Sequence, residues 1–306
     1  MSSKIYFICF ADSRLQKSIN RLKNEVKDFK MIDEVYFYTE KDFDPYFKKE
    51  FHPIRHLRGY GYWKWKPYFV KKIFDQINVD DIVIWSDVGN IFNIRGEQRF
   101  KEYLNMVRKN KTGILYFRQE GNVEKLWTKG DLFKFFNVYE DPAYTDSYQA
   151  WAGCFILRKT DMSQQLVDRW YDIHMNHYDL TTDKRSQVPN LSGFRENRHD
   201  QSVFSLLVKS YDSIQISSTE VYGGEEGWKT QVLFPIWGAR KKEFKGNKIT
   251  KKIETYYKWF YRKYLIFLTL STILCKWKQD SVVSSSYIWI LFSKISINWF
   301  IINPQL

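Results

Sequence analysis

Apolar runs of strand length alternate with stretches of helical spacing through the first half of the chain. The strand-like runs cover residues 4–11, 35–39, 82–87 and 113–117. The helix-like stretches between them cover residues 14–29, 67–77 and 96–110. Asp12 and Ser13 suit the cap of the first helix, and Pro67 suits the first turn of the second. Strands that alternate with helices in this way predict an α/β fold, a mostly parallel sheet with helices on both faces.

The second half of the chain has a less regular pattern. It predicts a strand at 153–158, a helix at 160–178, a polar loop at 181–197 and a helix at 200–209. Beyond residue 240, lysine and arginine are interleaved with tyrosine, tryptophan and phenylalanine. We therefore divide the chain into an α/β domain at 1–240 and a basic, aromatic, helical C-terminal region at 241–306.

The composition limits the class of protein. Hydrophobic residues make up 44% of the 306 residues, which excludes a wholly disordered chain. The three cysteines are scattered without metal-ligand spacing, and we expect reduced thiols and a cytoplasmic location. The formal net charge is +13. Residues 240–306 hold thirteen Lys and Arg against three acids, so most of the excess charge lies at this end.

The C-terminal region predicts a membrane partner. Its apolar run at 264–274 is shorter than the ~20 residues that a spanning helix needs. The longer run at 287–302 is interrupted by Lys294 and Asn298. Basic side chains beside tryptophan rings suit an anionic membrane surface, so we expect peripheral attachment to the inner face of the cytoplasmic membrane. The alternatives are a helical subdomain packed on the core and a surface that binds a protein partner.

A carboxylate follows the third predicted strand. In an open α/β sheet the carboxyl ends of the strands face the ligand crevice, so Asp87 is expected on its floor. There it can bind a ribose, or a divalent cation that bridges two phosphates. Gly89 stands two residues later, where its missing side chain allows a ligand to approach the backbone. The structural alternative is that Asp87 only ends a strand and caps a turn.

The segment Arg58–Pro67 is the most distinctive in the chain. It reads Arg-Gly-Tyr-Gly-Tyr-Trp-Lys-Trp-Lys-Pro and joins cations, aromatic rings and two glycines. In an extended loop Tyr62, Trp63 and Trp65 alternate in direction, so some rings can stack on a base while others pack inward. The cations that can meet phosphate oxygens are Arg58, Lys64 and Lys66. The segment predicts a site for a nucleotide diphosphate; the alternative is a core-packing loop with solvated lysines.

Other candidates lie near the ends of predicted elements. Arg14 follows the first strand, where a cation can meet a pyrophosphate, or it is a surface arginine. Gln149 and Trp151 precede a strand and can line an acceptor groove, although packing explains them equally. Asp200 can act as a general base or contact a sugar, and His199 can ligate a metal or bind phosphate. The alternative for this pair is a helix cap.

These features resemble bacterial glycosyltransferases of the GT-A fold, the kind that build lipopolysaccharide or capsular glycans. The resemblance rests on the order of elements, Asp87, the run His199-Asp200-Gln201 and the Arg58–Pro67 segment, and it covers residues 4–240. It implies a nucleotide-sugar donor, with a UDP-sugar expected, a saccharide or lipid-linked acceptor, and a divalent cation, Mn²⁺ or Mg²⁺. It also implies that Asp87 is the first acid of a metal-binding motif and that Asp200 lies near the reacting sugar. Gly89 departs from the motif at its second acid.

Two other classes of function are consistent with parts of the sequence. Cations and aromatic rings also suit single-stranded nucleic acid, but the body of the chain is almost neutral, so we expect no nucleic-acid partner. A non-catalytic membrane-associated protein leaves the crowded region between Arg58 and Asp87 unexplained. The sequence therefore favours an enzyme.

Overall fold

The computed structural model describes residues 3–222 and 231–242. Six strands form the main sheet: β1 (Ile5–Phe10), β2 (Glu34–Tyr38), β3 (Ile82–Ser86), β5 (Ile114–Val123), β6 (Tyr148–Arg158) and β7 (Ile214–Ser217). A smaller antiparallel pair is made by β4 (Ile91–Phe92) and β8 (Ile236–Trp237). The order in the main sheet is β2-β1-β3-β6-β5-β7.

The helices connect these strands. They are α1 (Gln16–Val26), α2 (Pro45–Phe51), α3 (Arg58–Tyr62), α4 (Trp65–Phe74), α5 (Glu97–Lys109), α6 (Glu124–Trp127), α7 (Gly130–Phe135), α8 (Pro142–Thr145), α9 (Asp161–Asn176) and α10 (Asp200–Lys209). The first begins after a short 3-10 turn, Ser13–Leu15, which Asp12 caps by accepting a hydrogen bond from the backbone N–H of Arg14. This cap was predicted from the sequence.

The predicted fold class is confirmed. Three of the five strand pairings in the main sheet are parallel, β1 with β2, β1 with β3, and β5 with β7. The pairings on either side of β6 are antiparallel, so β6 alone among these six strands runs against the others. The sequence pattern did not predict this reversal, because a fully buried strand looks the same in both directions.

Helices cover both faces of the sheet, as predicted. On one face α4, α9 and α10 bury residues such as Phe69, Trp170 and Phe204 against the strands. On the other face α1 and α5 bury residues such as Leu22 and Phe100. Both faces of the central strands are therefore dry, which explains their continuous apolar runs.

Two irregularities of the sheet make a site at one edge. Strand β1 lies between β2 and β3, so the chain leaves it on one side and returns on the other, and the carboxyl ends of β1 and β3 flank a crevice. Strand β6 bulges beside them, because Tyr116 pairs with Phe155 while Phe117 pairs with Trp151. The bulge leaves residues 152–154 without partners in β5 and turns backbone carbonyls toward the crevice.

The predicted C-terminal region at 241–306 lies outside the described residues, except for its first two. Cys275 lies there too, whereas Cys9 and Cys154 are buried free thiols, with their pKa raised by burial. Across the described ranges no helix has the length and apolar character to cross a membrane.

Candidate active site

A buried lysine joins two carboxylates at the sheet edge. Lys66, in the first turn of α4, has a side chain that is 2% exposed. Its Nζ lies 2.6 Å from Oδ2 of Asp200 and 3.3 Å from Oδ1 of Asp87, and it donates a hydrogen bond of 2.9 Å to the carbonyl oxygen of Ala152. Two carboxylates and one backbone carbonyl thus surround the ammonium group. We call Lys66, Asp87 and Asp200 the acid–lysine triad.

The triad has an unusual balance of charge. Burial lowers the pKa of Lys66, but the carboxylates of Asp200 and Asp87 outweigh it and raise that pKa, so the lysine stays charged. Burial raises the pKa of Asp200 to about 6, against the opposing effect of Lys66. Above pH 6 the Asp200 carboxylate is therefore mostly ionised beside the charged Lys66.

Asp87 is the member of the triad that solvent reaches. Its side chain is 34% exposed, and its Oδ1 accepts a hydrogen bond of 3.1 Å from Nε1 of Trp85. Its backbone N–H donates to the carbonyl of Gly153, one of the carbonyls turned outward by the bulge in β6. Trp85 of β3 and the backbone of β6 thus hold Asp87 at the crevice, where the sequence predicted it.

His199 precedes Asp200 in a strained conformation. Its backbone, at φ 56° and ψ −118°, lies outside the regions that L-residues favour, which is a common sign of a functional constraint. Its Nδ1 lies 2.7 Å from the carbonyl oxygen of Thr181, so in the neutral ring Nδ1 carries the proton. Its Nε2 lies 3.6 Å from Oδ1 of Asp183 and has no hydrogen-bond partner among the described residues. Burial lowers the pKa of this imidazole.

The aromatic segment is coiled rather than extended, which corrects the sequence interpretation. All five residues from Gly59 to Trp63 have positive φ. Glycine is required at position 59, because a Cβ there would lie 2.1 Å from the Trp63 ring. The rings therefore do not alternate in direction. Trp63 stacks on His199 with centroids 5.5 Å apart, and Tyr62 lies 4.8 Å from the same imidazole.

Trp65, Arg58 and Lys66 of this segment all have partners within the protein. The Trp65 ring packs in the core, 4.4 Å from Phe10. Arg58 forms an ion pair of 2.9 Å with Glu196, which joins the segment to the loop before α10. Lys66 serves the triad, so the prediction that Arg58 and Lys66 bind phosphate is not supported by their contacts. Tyr62 and Trp63 instead hold His199 in place.

Arg14 lies where the sequence placed it, after β1 at the crevice. Its guanidinium Nε donates 2.6 Å to Asp12, and its Cζ lies 5.6 Å from the centroid of the Tyr60 ring. The end of β1 therefore carries a cation and a carboxylate, and the end of the neighbouring strand β3 carries Asp87 of the triad.

The two predicted acceptor residues are both largely buried. Gln149 is fully buried, and its amide donates to Glu124 and Thr128 while it accepts 2.8 Å from Gln201. It thus supports α10 from behind and has no exposed surface for an acceptor, which corrects the sequence interpretation. Trp151 is 8% exposed and packs 5.2 Å from Tyr222.

The residues at Asp87 do not fit the divalent cation that the resemblance implies. Oxygen-rich sites for Mn²⁺ or Mg²⁺ need several hard ligands, and Asp87 is a single carboxylate that Lys66 already pairs. Gly89 offers no side-chain oxygen at the position of the second acid. Within the described ranges no group of three His, Cys, Asp or Glu side chains has the geometry to hold a metal ion.

The structure adds residues that sequence reasoning missed. Asp183 accepts a hydrogen bond of 3.1 Å from the Tyr62 hydroxyl and also contacts His199. Arg198 packs its guanidinium 4.0 Å from the Trp127 ring centroid. Arg240, at the assumed domain boundary, lies against Gly89. The polar loop 181–197 was expected near the site, but a single sequence does not reveal which of its side chains point inward.

Comparison with known proteins found similarity only among solved structures. The chain matches no protein-family model and no curated protein. It is similar to a glycosyltransferase involved in the glycosylation of the major capsid of PBCV-1, with 9% identity over 78% of this chain and 96% of the other, at a TM-score of 0.41. It is also similar to the glycosyltransferase GlyE of Streptococcus pneumoniae TIGR4, with 12% identity over 78% and 55%, at a TM-score of 0.41. For mouse xyloside xylosyltransferase 1 the identity is 10% over 77% and 97%, at a TM-score of 0.39. The chain matches about half the length of GlyE.

Proposed function

We propose that this protein is a glycosyltransferase that moves a sugar from a nucleotide-sugar donor, expected to be a UDP-sugar, to a saccharide or lipid-linked acceptor in cell-surface glycan biosynthesis. The observation that carries the proposal is the acid–lysine triad at the crevice between β1 and β3. Ligands of open α/β sheets bind at this position. The aromatic segment lies beside it and meets Asp200 through His199.

The cost of the triad favours a functional role. Taking the Lys66 ammonium group and the Asp200 carboxylate out of water costs several kcal/mol per ion, and such groups give little net stability compared with apolar residues. A scaffold without chemistry has no reason to keep them at a crevice. Carboxylates at the floor of a cleft accept hydrogen bonds well from the hydroxyl groups of a sugar.

The reaction assigns a role to each acid. The oxygen of an acceptor hydroxyl forms a bond to the anomeric carbon of the donor sugar, the bond from that carbon to the diphosphate breaks, and the nucleoside diphosphate leaves. The acceptor proton passes to Asp200, whose pKa of about 6 leaves it ionised yet basic at neutral pH. Asp87, which is more exposed, contacts the donor sugar. Tyr62 and Trp63 hold His199, and with it the start of α10, in position.

A donor screen tests the proposal. The chain is incubated with UDP-, GDP-, CMP- and dTDP-sugars, and nucleotide release and the melting temperature are measured. We expect one class of donor to raise the melting temperature and release nucleotide. Asp87→Asn should reduce release at least about 100-fold with little change in melting temperature. Asp75→Asn is the control, because its side chain is 51% exposed at the far end of α4. Failure of every donor to bind, together with retention on single-stranded DNA, would favour the nucleic-acid alternative.

Attachment of residues 241–306 to an anionic membrane surface at the inner face is part of the same proposal. The charge of this region, read from the sequence, supports it. The chain should sediment with vesicles that contain anionic phosphatidylserine and not with neutral vesicles. Equal sedimentation of a variant that lacks 243–306 would refute attachment.

A further inference from the structure

Residues 231–242 return to the crevice and are fixed there by several contacts. Nδ2 of Asn93 donates to the carbonyls of Val232 at 2.7 Å and Phe234 at 3.0 Å. Strand β8 then pairs with β4, and the N–H of Gly238 donates 2.8 Å to the carbonyl of Val221. These contacts carry the chain to the turn that follows Asp87.

The backbone of this segment occupies the space beside Gly89. The N–H of Lys241 donates 2.8 Å to the carbonyl of Gly89. A Cβ on Gly89 would lie 3.3 Å from Cα of Arg240, so the segment would have to shift by a few tenths of an ångström to admit a side chain at position 89. Arg21 fastens the two parts together, because its guanidinium donates 2.7 Å to the carbonyl of Val88 and 3.3 Å to that of Lys241. The segment that carries Arg240 therefore packs directly against the position of the second acid.

A second arginine, Arg198, is linked to the same segment through side-chain contacts. Arg198, next to His199, packs on Trp127 and donates 3.4 Å to Oε1 of Gln119. Nε2 of Gln119 in turn donates 3.3 Å to the hydroxyl of Tyr222. The Tyr222 ring packs against Gly238, two residues before Arg240, and against Trp151.

Both arginines lack an acidic partner in the described part of the chain. No described carboxylate lies within 4.0 Å of the guanidinium of Arg198 or of Arg240. Burial lowers the pKa of Arg198; the charge of Glu196, which is paired with Arg58, opposes this, and the charge of Arg240 adds to it. Burial raises the pKa of Tyr222, and the charges of Arg240, Asp87 and Arg198 all act on that phenol. Two cations around Tyr222, neither of them paired with a described carboxylate, favour the binding of an anion there.

We propose that Arg240 and Arg198 bind the diphosphate of the donor and take the place of a divalent cation beside Asp87. This inference rests on the proposed function, because it concerns the same ligand. Arginine suits the task, since its planar donors match phosphate oxygens in pairs. As the bond to the anomeric carbon breaks, negative charge grows on the diphosphate, and fixed cations stabilise it there.

Binding of nucleotide to the full chain tests the proposal. The affinity for UDP, GDP, CMP and dTDP, and for any nucleotide sugar found in the donor screen, is measured by calorimetry in EDTA and in Mn²⁺. We expect binding in EDTA that Mn²⁺ improves less than about threefold. Arg240→Gln and Arg198→Gln should each weaken binding about tenfold or more. Arg240→Lys should keep part of the affinity.

Arg108→Gln is the control, because Arg108 lies exposed on α5 and contacts only Asn105 among the bonds described. Circular dichroism confirms the fold of each variant. Binding that requires Mn²⁺ would overturn the inference and leave the proposed function intact. Binding in EDTA that Arg240→Gln and Arg198→Gln weaken no more than Arg108→Gln would also overturn the inference alone. Absence of nucleotide binding under both conditions would overturn the inference together with the proposed function.

Discussion

Replacing Lys66 by methionine isolates the energetics of the acid–lysine triad. Methionine keeps the volume and the apolar stem of lysine but removes the charge, so Asp200 loses its ion pair of 2.6 Å in a fully buried setting. Breaking a buried pair by removing one partner costs about 3–5 kcal/mol, because an uncompensated charge remains. We expect Lys66→Met to lower the free energy of unfolding by that amount at pH 8.

Lys71→Met on the same helix is the matched control. Lys71 pairs with Asp75 at 3.0 Å and Asp168 at 2.7 Å, but its side chain is 28% exposed and its partners are about half exposed. Surface pairs of this kind contribute about 1 kcal/mol or less. Urea unfolding of the full chain, followed by tryptophan fluorescence, compares the two variants.

The cost of Lys66→Met should depend on pH. The pKa of Asp200 in the folded protein, about 6, is above its ordinary value of 3.8. Its protonation therefore stabilises the fold fully below pH 3.8, and this contribution is lost as the pH rises through about 6. Removing Lys66 removes the opposing charge and raises the pKa of Asp200 further. As the pH rises, the variant therefore continues to lose stability up to a higher pH than the parent does. The difference between them should be smaller at pH 5 than at pH 8.

A double variant completes the test. Asp200→Asn removes the buried charge, so Lys66→Met with Asp200→Asn should recover most of the stability that Lys66→Met loses, while Asp87 stays hydrated. A cost of Lys66→Met no greater than that of Lys71→Met would refute the role of Lys66 as a buried counterion. An equal cost at pH 5 and pH 8, or a double variant that recovers nothing, would refute it as well.

Two further predictions concern the aromatic segment and the base. In urea unfolding, Gly59→Ala should lower the free energy of unfolding by roughly 2–4 kcal/mol, since φ at this position is +63° and the new Cβ meets Trp63 at 2.1 Å. Gly121→Ala is the control, with φ +87° and nothing within 4 Å of the new Cβ, and should cost about 1 kcal/mol. Equal costs would show that the Trp63 ring moves freely. Transfer should also lose rate as the pH falls through about 6, because Asp200 then takes up a proton. A rate measured from pH 5 to 8 that shows no acidic limb would remove Asp200 as the base.

The fold was predicted from sequence where local pattern is sufficient. The apolar runs that became β1, β2 and β3 and the amphipathic stretches that became α1, α5 and α9 carry their own signals, and so does the cap at Asp12. The position of Asp87 followed from a general property of α/β sheets. These features depend on residues that are neighbours in sequence.

The parts of the site that the sequence did not predict depend on contacts between residues that are distant in sequence. Lys66 looked like a phosphate ligand in the sequence, and only the approach of Asp200, which lies 134 positions later in the printed sequence, shows that it is a buried counterion. Gln149 looked like part of a groove until Glu124, Thr128 and Gln201 were seen to use its amide. Electrostatic and hydrogen-bond partners of this kind have no local pattern, so a single sequence cannot reveal them.

The bulge in β6 shows how residues without reactive side chains serve the site. Trp151-Ala152-Gly153 has little chemistry of its own, yet Ala152 supplies the carbonyl for Lys66, and Gly153 supplies the carbonyl for the backbone of Asp87. A Cβ at Gly153 would lie 2.3 Å from the Trp151 ring, so only glycine lets the strand bend beneath that tryptophan. The antiparallel strand therefore provides backbone acceptors at the point where its parallel neighbours β1 and β3 provide side chains. Because the triad needs both, the reversal of β6, which the sequence pattern did not predict, is part of what forms the triad.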